Sequence, residues 1–248
     1  MTSLNGTTVW VHNDGGGEAA IYELDTKTAA IKRILNIENA KNVDWEEITH
    51  DENGNLYIGD FGNNQQKRTN LCIYKTPPIT DANIMTLPSQ KISFCYADQT
   101  AFPPKKANKN FDCEAFIHFK NNLYLFSKNH TKPYNGTCKL YKLPDSAGKH
   151  VAVPIDSFHT GAMYGLSFIT GAALSPDQTK LVLLSSDKIW VFSDFKGDNF
   201  FKGKCKKIML GSVSQKEGIA FLDNETLLIS DERPIKMVGG NLYRIRIK

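Results

Sequence analysis

Three glutamates in this chain stand at the same place in a recurring pattern, and their chemistry is that of hard oxygen ligands. Glu46 follows Asp44-Trp45, Glu114 follows Asp112-Cys113, and Glu217 precedes Gly218-Ile219-Ala220. Each opens a strand-like segment that leads through a turn into a second strand, at 55–60, 122–127 and 226–231 respectively. A degenerate copy carries Thr170 in the acidic position ahead of 180–185. Carboxylates gathered by such a repeat raise one another's pKa unless a cation or basic groups stand among them. Oxygen donors without a matching His or Cys cluster favour Ca2+, which takes about six to eight oxygens in tolerant geometry, over zinc. A structural role remains open as well, in which the carboxylates accept backbone N–H bonds or pair with Lys128 and Arg233.

Short runs of β-branched and aromatic residues, separated by Asn, Asp, Gly and Pro, must position these groups, and sustained helical periodicity is almost absent. The chain is therefore expected to be all-β. Lettering each module from an inner strand A to an outer strand D, module two reads A 46–50, B 55–60, C 70–75 and D 91–96. Module three reads 114–119, 122–127, 138–143 and 152–159, and module four reads 170–175, 180–185, 188–193 and 205–210. Module one shows B 8–12, C 20–24 and D 31–35 without an A strand, and module five shows A, B and C without a D strand. Intervals of roughly 50 to 70 residues between A strands fit the blades of a propeller better than a linear solenoid. The expectation is one β-propeller domain over 1–248, with five four-stranded modules visible and six blades possible. A closing N-terminal segment, supplying D to the last blade and A to the first, is expected to be missing.

In a blade the start of A and the end of B share one end, which groups Glu46 with Asp60, Glu114 with Lys128, Thr170 with Ser186 and Asp187, and Glu217 with Asp231. Module one contributes the loop His12-Asn13-Asp14-Gly15-Gly16-Gly17, and module two adds Asn63 in Asp60-Phe61-Gly62-Asn63-Asn64. These are the candidate top-face contacts, although Gly and Asn also serve plain turns. His12 and His130 are the histidines that fall in top-face loops, where either could act as a general base, although a lone loop histidine is more often simply exposed. No serine lies in a G-x-S-x-G context.

Composition bounds the remainder. In 248 residues, 41% are hydrophobic and 23% charged, as in a folded globular chain. The net charge of +4 arises from scattered lysines without a nucleic-acid motif, so no nucleic-acid partner is expected. Five cysteines lack C-x-x-C spacing, and most read as buried apolar residues in strands. No apolar run is long enough for a transmembrane helix, and Met1-Thr2-Ser3-Leu4 has no signal-peptide character. Asn-x-Thr sequons at Asn5, Asn129, Asn135 and Asn224 matter only in a glycosylating pathway.

The segments 11–16, 42–48, 57–64 and 111–115, together with Glu217-Gly218-Ile219-Ala220, resemble an uncharacterised family of exported bacterial propellers of the Bacteroidetes type. The resemblance covers nearly the whole chain and implies export to the periplasm, cell surface or medium, with any signal outside these residues. More distantly the strand starts are similar to SdiA-regulated, phytase-like esterase and gluconolactonase-like propellers. In those groups acidic residues around the channel hold Ca2+, which implies metal binding at Glu46, Glu114 and Glu217. Thr170 and the acid-free start of module one depart from that pattern.

Two functions follow as expectations. One is a monomeric ligand-binding or scaffolding propeller with Ca2+ at the channel mouth, its ligand a small molecule, glycan or protein. The other is a Ca2+-dependent hydrolase of a phosphoester or lactone, with a carboxylate or His12 activating water. The fold hosts both.

Overall fold

Alternating apolar residues that face a neighbouring blade, bounded by polar turns, give nineteen strands among the described residues of this computed structural model, which are 1–232 and 240–247. Blade one comprises β1 (Thr8–His12), β2 (Ala20–Asp25) and β3 (Ile31–Ile37). Blade two comprises β4 (Trp45–His50), β5 (Leu56–Asp60), β6 (Cys72–Lys75) and, after the short β7 (Thr86–Leu87), β8 (Gln90–Tyr96). Blade three is β9 (Asp112–Phe119), β10 (Asn122–Lys128), β11 (Thr137–Pro144) and β12 (Gly148–His159). Blade four is β13 (Gly171–Leu174), β14 (Lys180–Leu184), β15 (Lys188–Ser193) and β16 (Lys204–Met209). Blade five is β17 (Lys216–Phe221), β18 (Thr226–Asp231) and β19 (Leu242–Arg246). Within each blade consecutive strands pair antiparallel, in the A–B–C–D order that the sequence predicts.

Three details were not legible in the sequence. Thr2 bridges Trp10 with hydrogen bonds of 3.0 and 2.7 Å, so residues 1–3 hold the channel-side position of blade one, where no strand was expected. The excursion after β6 crosses to the preceding blade and lays β7 parallel to β3, pairing Asn36 with Thr86 and Ile37 with Leu87. The outer strands of blades two and three join directly, β12 lying parallel to β8 from Gly148↔Ile92 to Ala152↔Tyr96. Each device covers a row of backbone groups that would otherwise form an open sheet edge.

The core divides by blade interface. Trp10, Ile21 and Leu35 pack on Trp45, Ile48 and Ile58 between blades one and two. Tyr57, Ile73 and Ile92 meet Phe116, Leu125 and Tyr141 between two and three. Ile117, Phe126 and Leu140 meet Leu183, Trp190 and Phe192 between three and four, and Val182 and Leu184 meet Ile219 and Ile229 between four and five. A fifth cluster of Met1, Val9, Ala220 and Leu228 joins blade five to blade one. Five blades therefore close on themselves. Because successive residues of a strand point to opposite faces, each blade serves two of these clusters at once. Cys72, Cys113 and Cys138 are buried in them as expected, whereas Cys95 and Cys205 are exposed.

Candidate functional site

All three repeated glutamates sit at interruptions of the ladder. In β4 the pairing passes from Trp45↔Asp60 to Glu47↔Gly59, in β9 from Cys113↔Ser127 to Ala115↔Phe126, and in β17 from Lys216↔Asp231 to Gly218↔Ser230. Glu46, Glu114 and Glu217 are thus each the extra residue of a β-bulge, a device that re-aims a side chain at the end of a strand. Blade four starts at Gly171↔Leu184 without a shift, and Thr170 Oγ1 instead donates to the Lys216 carbonyl at 2.6 Å. The bulge, not acidity alone, distinguishes the three blades that contribute.

Around these bulges the carboxylates crowd. One oxygen each from Asp14, Asp44 and Glu46 lies within 4.8 Å of the others. Asn42 Nδ2 donates to the carbonyls of Asn13 and Asp14 at 3.2 and 3.0 Å, which ties the blade-one loop to the start of β4. Gly62 makes the close approach possible, since a Cβ there would overlap Glu46 Oε1 and the Asp44 carboxylate. Burial, followed by the charges of Glu114, Asp112, Asp44 and Asp14, pushes the Glu46 pKa far up. Burial also leads in raising Asp44, with Arg68 opposing.

Glu114 is 4% exposed. Its Oε1 pairs with the Lys128 ammonium, whereas Oε2 has no hydrogen-bond partner among the described residues. Burial raises its pKa to about 8 against the opposing charge of Lys128. Lys128 is held above its ordinary value because Glu114 and Asp112 outweigh the burial that would lower it. Glu217 rises to about 9, first through burial and then through a carboxyl–carboxyl hydrogen bond with Glu232. Gln215 Nε2 donates to Glu232 at 2.5 Å.

The other sequence-predicted residues divide. His12 and Asn13 line, with Asp14, Trp45, Glu46 and Glu217, a cavity of about 480 Å³ at this mouth. Burial, then the nearby N-terminal charge, lowers His12 to about 4, which makes it a neutral imidazole at physiological pH. Asp231 also lines that cavity but is engaged by Asn241 N at 2.7 Å and Tyr243 Oη at 2.8 Å. Asp60 is buried and binds Arg68 at 2.8 Å and Asp44 N at 3.1 Å. Asn63 is buried too, its N–H donating to Asp112 at 2.8 Å. Asp187 pairs with Lys188 in blade four, and Ser186 gives its carbonyl to Lys216. His130 meets Asp112 at 2.7 Å. Arg233 lies outside the described residues.

Sequence reasoning passed over two participants. Asp44 and Asp112 occupy equivalent positions two residues before a bulged glutamate, and that spacing was the available signal. Glu47 lies fully buried behind the mouth, where it pairs with the Met1 ammonium and accepts from Ile48 N at 3.0 Å. On the opposite side of the channel Asp51, His118 and Asp145 also converge, but Tyr57 Oη lies 3.1 Å from Asp51 and 2.9 Å from Asp145, and His118 reaches Asp145 at 3.0 Å. That set forms a satisfied staple between blades two and three.

Neither a protein-family model nor a curated protein matches the sequence. Among solved structures the chain is similar to the PQQ-bound aldose sugar dehydrogenase of Streptomyces coelicolor, at 8% identity and a TM-score of 0.54, covering 98% of this chain and 91% of that one. It is also similar to a 6-phosphogluconolactonase-like protein of Bacteroides uniformis, at 12% identity and a TM-score of 0.48. That alignment covers 94% of this chain and 66% of the other. The dehydrogenase likeness supports a propeller-type fold, and at that identity it concerns fold alone.

Proposed function

We propose that the channel mouth holds a hard divalent cation, Ca2+, and that the propeller presents it to a ligand on this face. The observation that carries this is the Glu114 carboxylate, almost wholly buried, with one oxygen on Lys128 and the other left without a partner. A buried carboxylate oxygen without a donor is costly, and a cation satisfies it. The adjoining donors fit: Asp14, Asp44 and Glu46 supply oxygens clustered within 4.8 Å of one another, Glu114 acts on that triad through its charge on Glu46, and neither Cys nor His stands in the triad. Ca2+ accepts such all-oxygen, irregular sets. Bound there, the ion would oppose the burial and the neighbouring negative charges that raise the Glu46 pKa, and offer its remaining coordination to ligand oxygens. The same reading supports the narrower likeness to exported propellers with acidic channel mouths, carried by Asp44-Trp45-Glu46 and Asp60-Phe61-Gly62-Asn63-Asn64.

Metal-stripped protein titrated with Ca2+ tests it by thermal melting. A cation bound only by the folded state raises Tm. The rise is expected with Ca2+ and not with equal ionic strength of Na+, and it is expected to vanish in Glu46→Gln. An unchanged Tm at millimolar Ca2+ would return the glutamates to a structural role.

A further inference from the structure

We propose that this mouth receives a neutral saccharide ring, its apolar face on the exposed Tyr164 and its hydroxyls toward Lys128 and the carboxylates. The inference rests on the ligand-binding reading above and names the ligand class.

An aromatic wall adjoins the acidic cluster. The 160–170 segment between β12 and β13 carries Met163 at 58% exposure and Tyr164 at 54%. Tyr164 packs edge-on to Phe168 at 4.9 Å and to Tyr134 at 5.6 Å, and Tyr134 meets Phe168 at 5.8 Å. Such mutual edge-to-face packing holds the rings in place before any ligand arrives. Phe168 links this wall to the mouth: the Lys128 ammonium stands 5.6 Å from its ring centre and the His130 ring 5.2 Å away. Those two residues are the ones that reach Glu114 and Asp112. Wall and mouth are therefore one surface.

Charge selects among ligands for it. Asp14, Asp44 and Glu46, with Asp112 nearby, outnumber the two charges of one bound Ca2+ and still disfavour a phosphate or carboxylate, while the ion itself and the Lys128 ammonium against Phe168 disfavour a cationic ligand. A polyhydroxylated ring avoids both penalties. Its hydroxyls donate to carboxylates, accept from Lys128 and can serve a hard cation, and its C–H face covers an aromatic side chain. Sites of this kind combine apolar lining with a few placed polar groups.

Saturation-transfer NMR on the full chain tests the proposal. The probes are methyl β-glucopyranoside, methyl α-mannopyranoside and N-acetylglucosamine, with spermine and glucose 6-phosphate as charged comparators, all in millimolar Ca2+. Transfer to the ring protons of a neutral sugar is expected, lost in Tyr164→Ala and kept in Tyr164→Phe. Because Tyr164 is exposed, the alanine variant should fold, and its Ca2+-dependent melting is recorded on the same sample. Transfer to spermine or glucose 6-phosphate alone, or a sugar signal unchanged in Tyr164→Ala, would overturn it. A Ca2+ shift without any sugar signal removes the saccharide while sparing the cation. A sugar signal without a Ca2+ shift removes only the cation.

Discussion

The Lys128 ammonium neutralises one oxygen of Glu114 and leaves the other, in the same buried carboxylate, without a hydrogen-bond partner among the described residues. Lys128 therefore competes with any metal for Glu114. Lys128→Met is expected to tighten Ca2+ binding by on the order of tenfold, equivalent to about 1.4 kcal/mol, while lowering the stability of the metal-free protein. Isothermal titration and urea unfolding read the two effects separately.

Metal-stripped protein should lose stability as pH rises. Glu217 and Glu114 titrate near 4.5 when unfolded and at about 9 and about 8 when folded, mainly through burial. Below about pH 4.5 both states are protonated, and the stability is fully present. Above it the folded state keeps protons that the unfolded chain has released, so stability falls through the folded pKa values. Glu217→Gln is expected to flatten this slope, and saturating Ca2+ to reduce it, in Tm measured from pH 5 to 9.

Gly62 contributes by having no side chain. In Gly62→Ala the new methyl would displace the mobile ends of Glu46 and Asp44, not backbone. The fold is expected to survive with a near-native Tm in chelator, whereas Ca2+ affinity falls by about tenfold or more. A variant that melts far lower without metal would show that Gly62 serves the turn instead.

Behind the mouth, Glu47 is fully buried against the Met1 ammonium, and burial raises its pKa to about 7 despite that partner. Above that pKa the ionised carboxylate is disfavoured in the folded state, so Glu47→Gln is expected to weaken the fall of stability between pH 5 and 8. Denaturant unfolding at the two pH values checks this. A steeper fall in the variant would show that the pairing with Met1 outweighs burial.

Across the channel, Tyr57→Phe removes the hydroxyl between Asp51 and Asp145. A destabilisation of about 0.5–1.5 kcal/mol, that of a lost hydrogen bond, is expected, because Asp51 keeps Asn55 and Asp145 keeps His118 and Lys75 as donors. The Ca2+ response at the mouth should be unchanged, since the two clusters lie at opposite ends of β4 and β9.

By itself the sequence determined the strands, their order within blades and the end at which the glutamates gather. Those follow from local properties: alternation of apolar residues, turn chemistry, and the antiparallel geometry that sets Trp45 opposite Asp60 and Asp112 opposite Lys128. Which carboxylates meet was decided by the tertiary structure. A β-bulge exists only relative to the register of a partner strand, so the re-aiming of Glu46, Glu114 and Glu217 could not be read from their own segments. The same holds for residues 1–3 beside β1, for β7 on the neighbouring blade, and for the burial of Asp60 and Asn63, which look like exposed loop residues until Arg68 and Asp112 are brought to them. Burial and charge proximity act between chain-distant groups, and only closure of the five blades sets those distances.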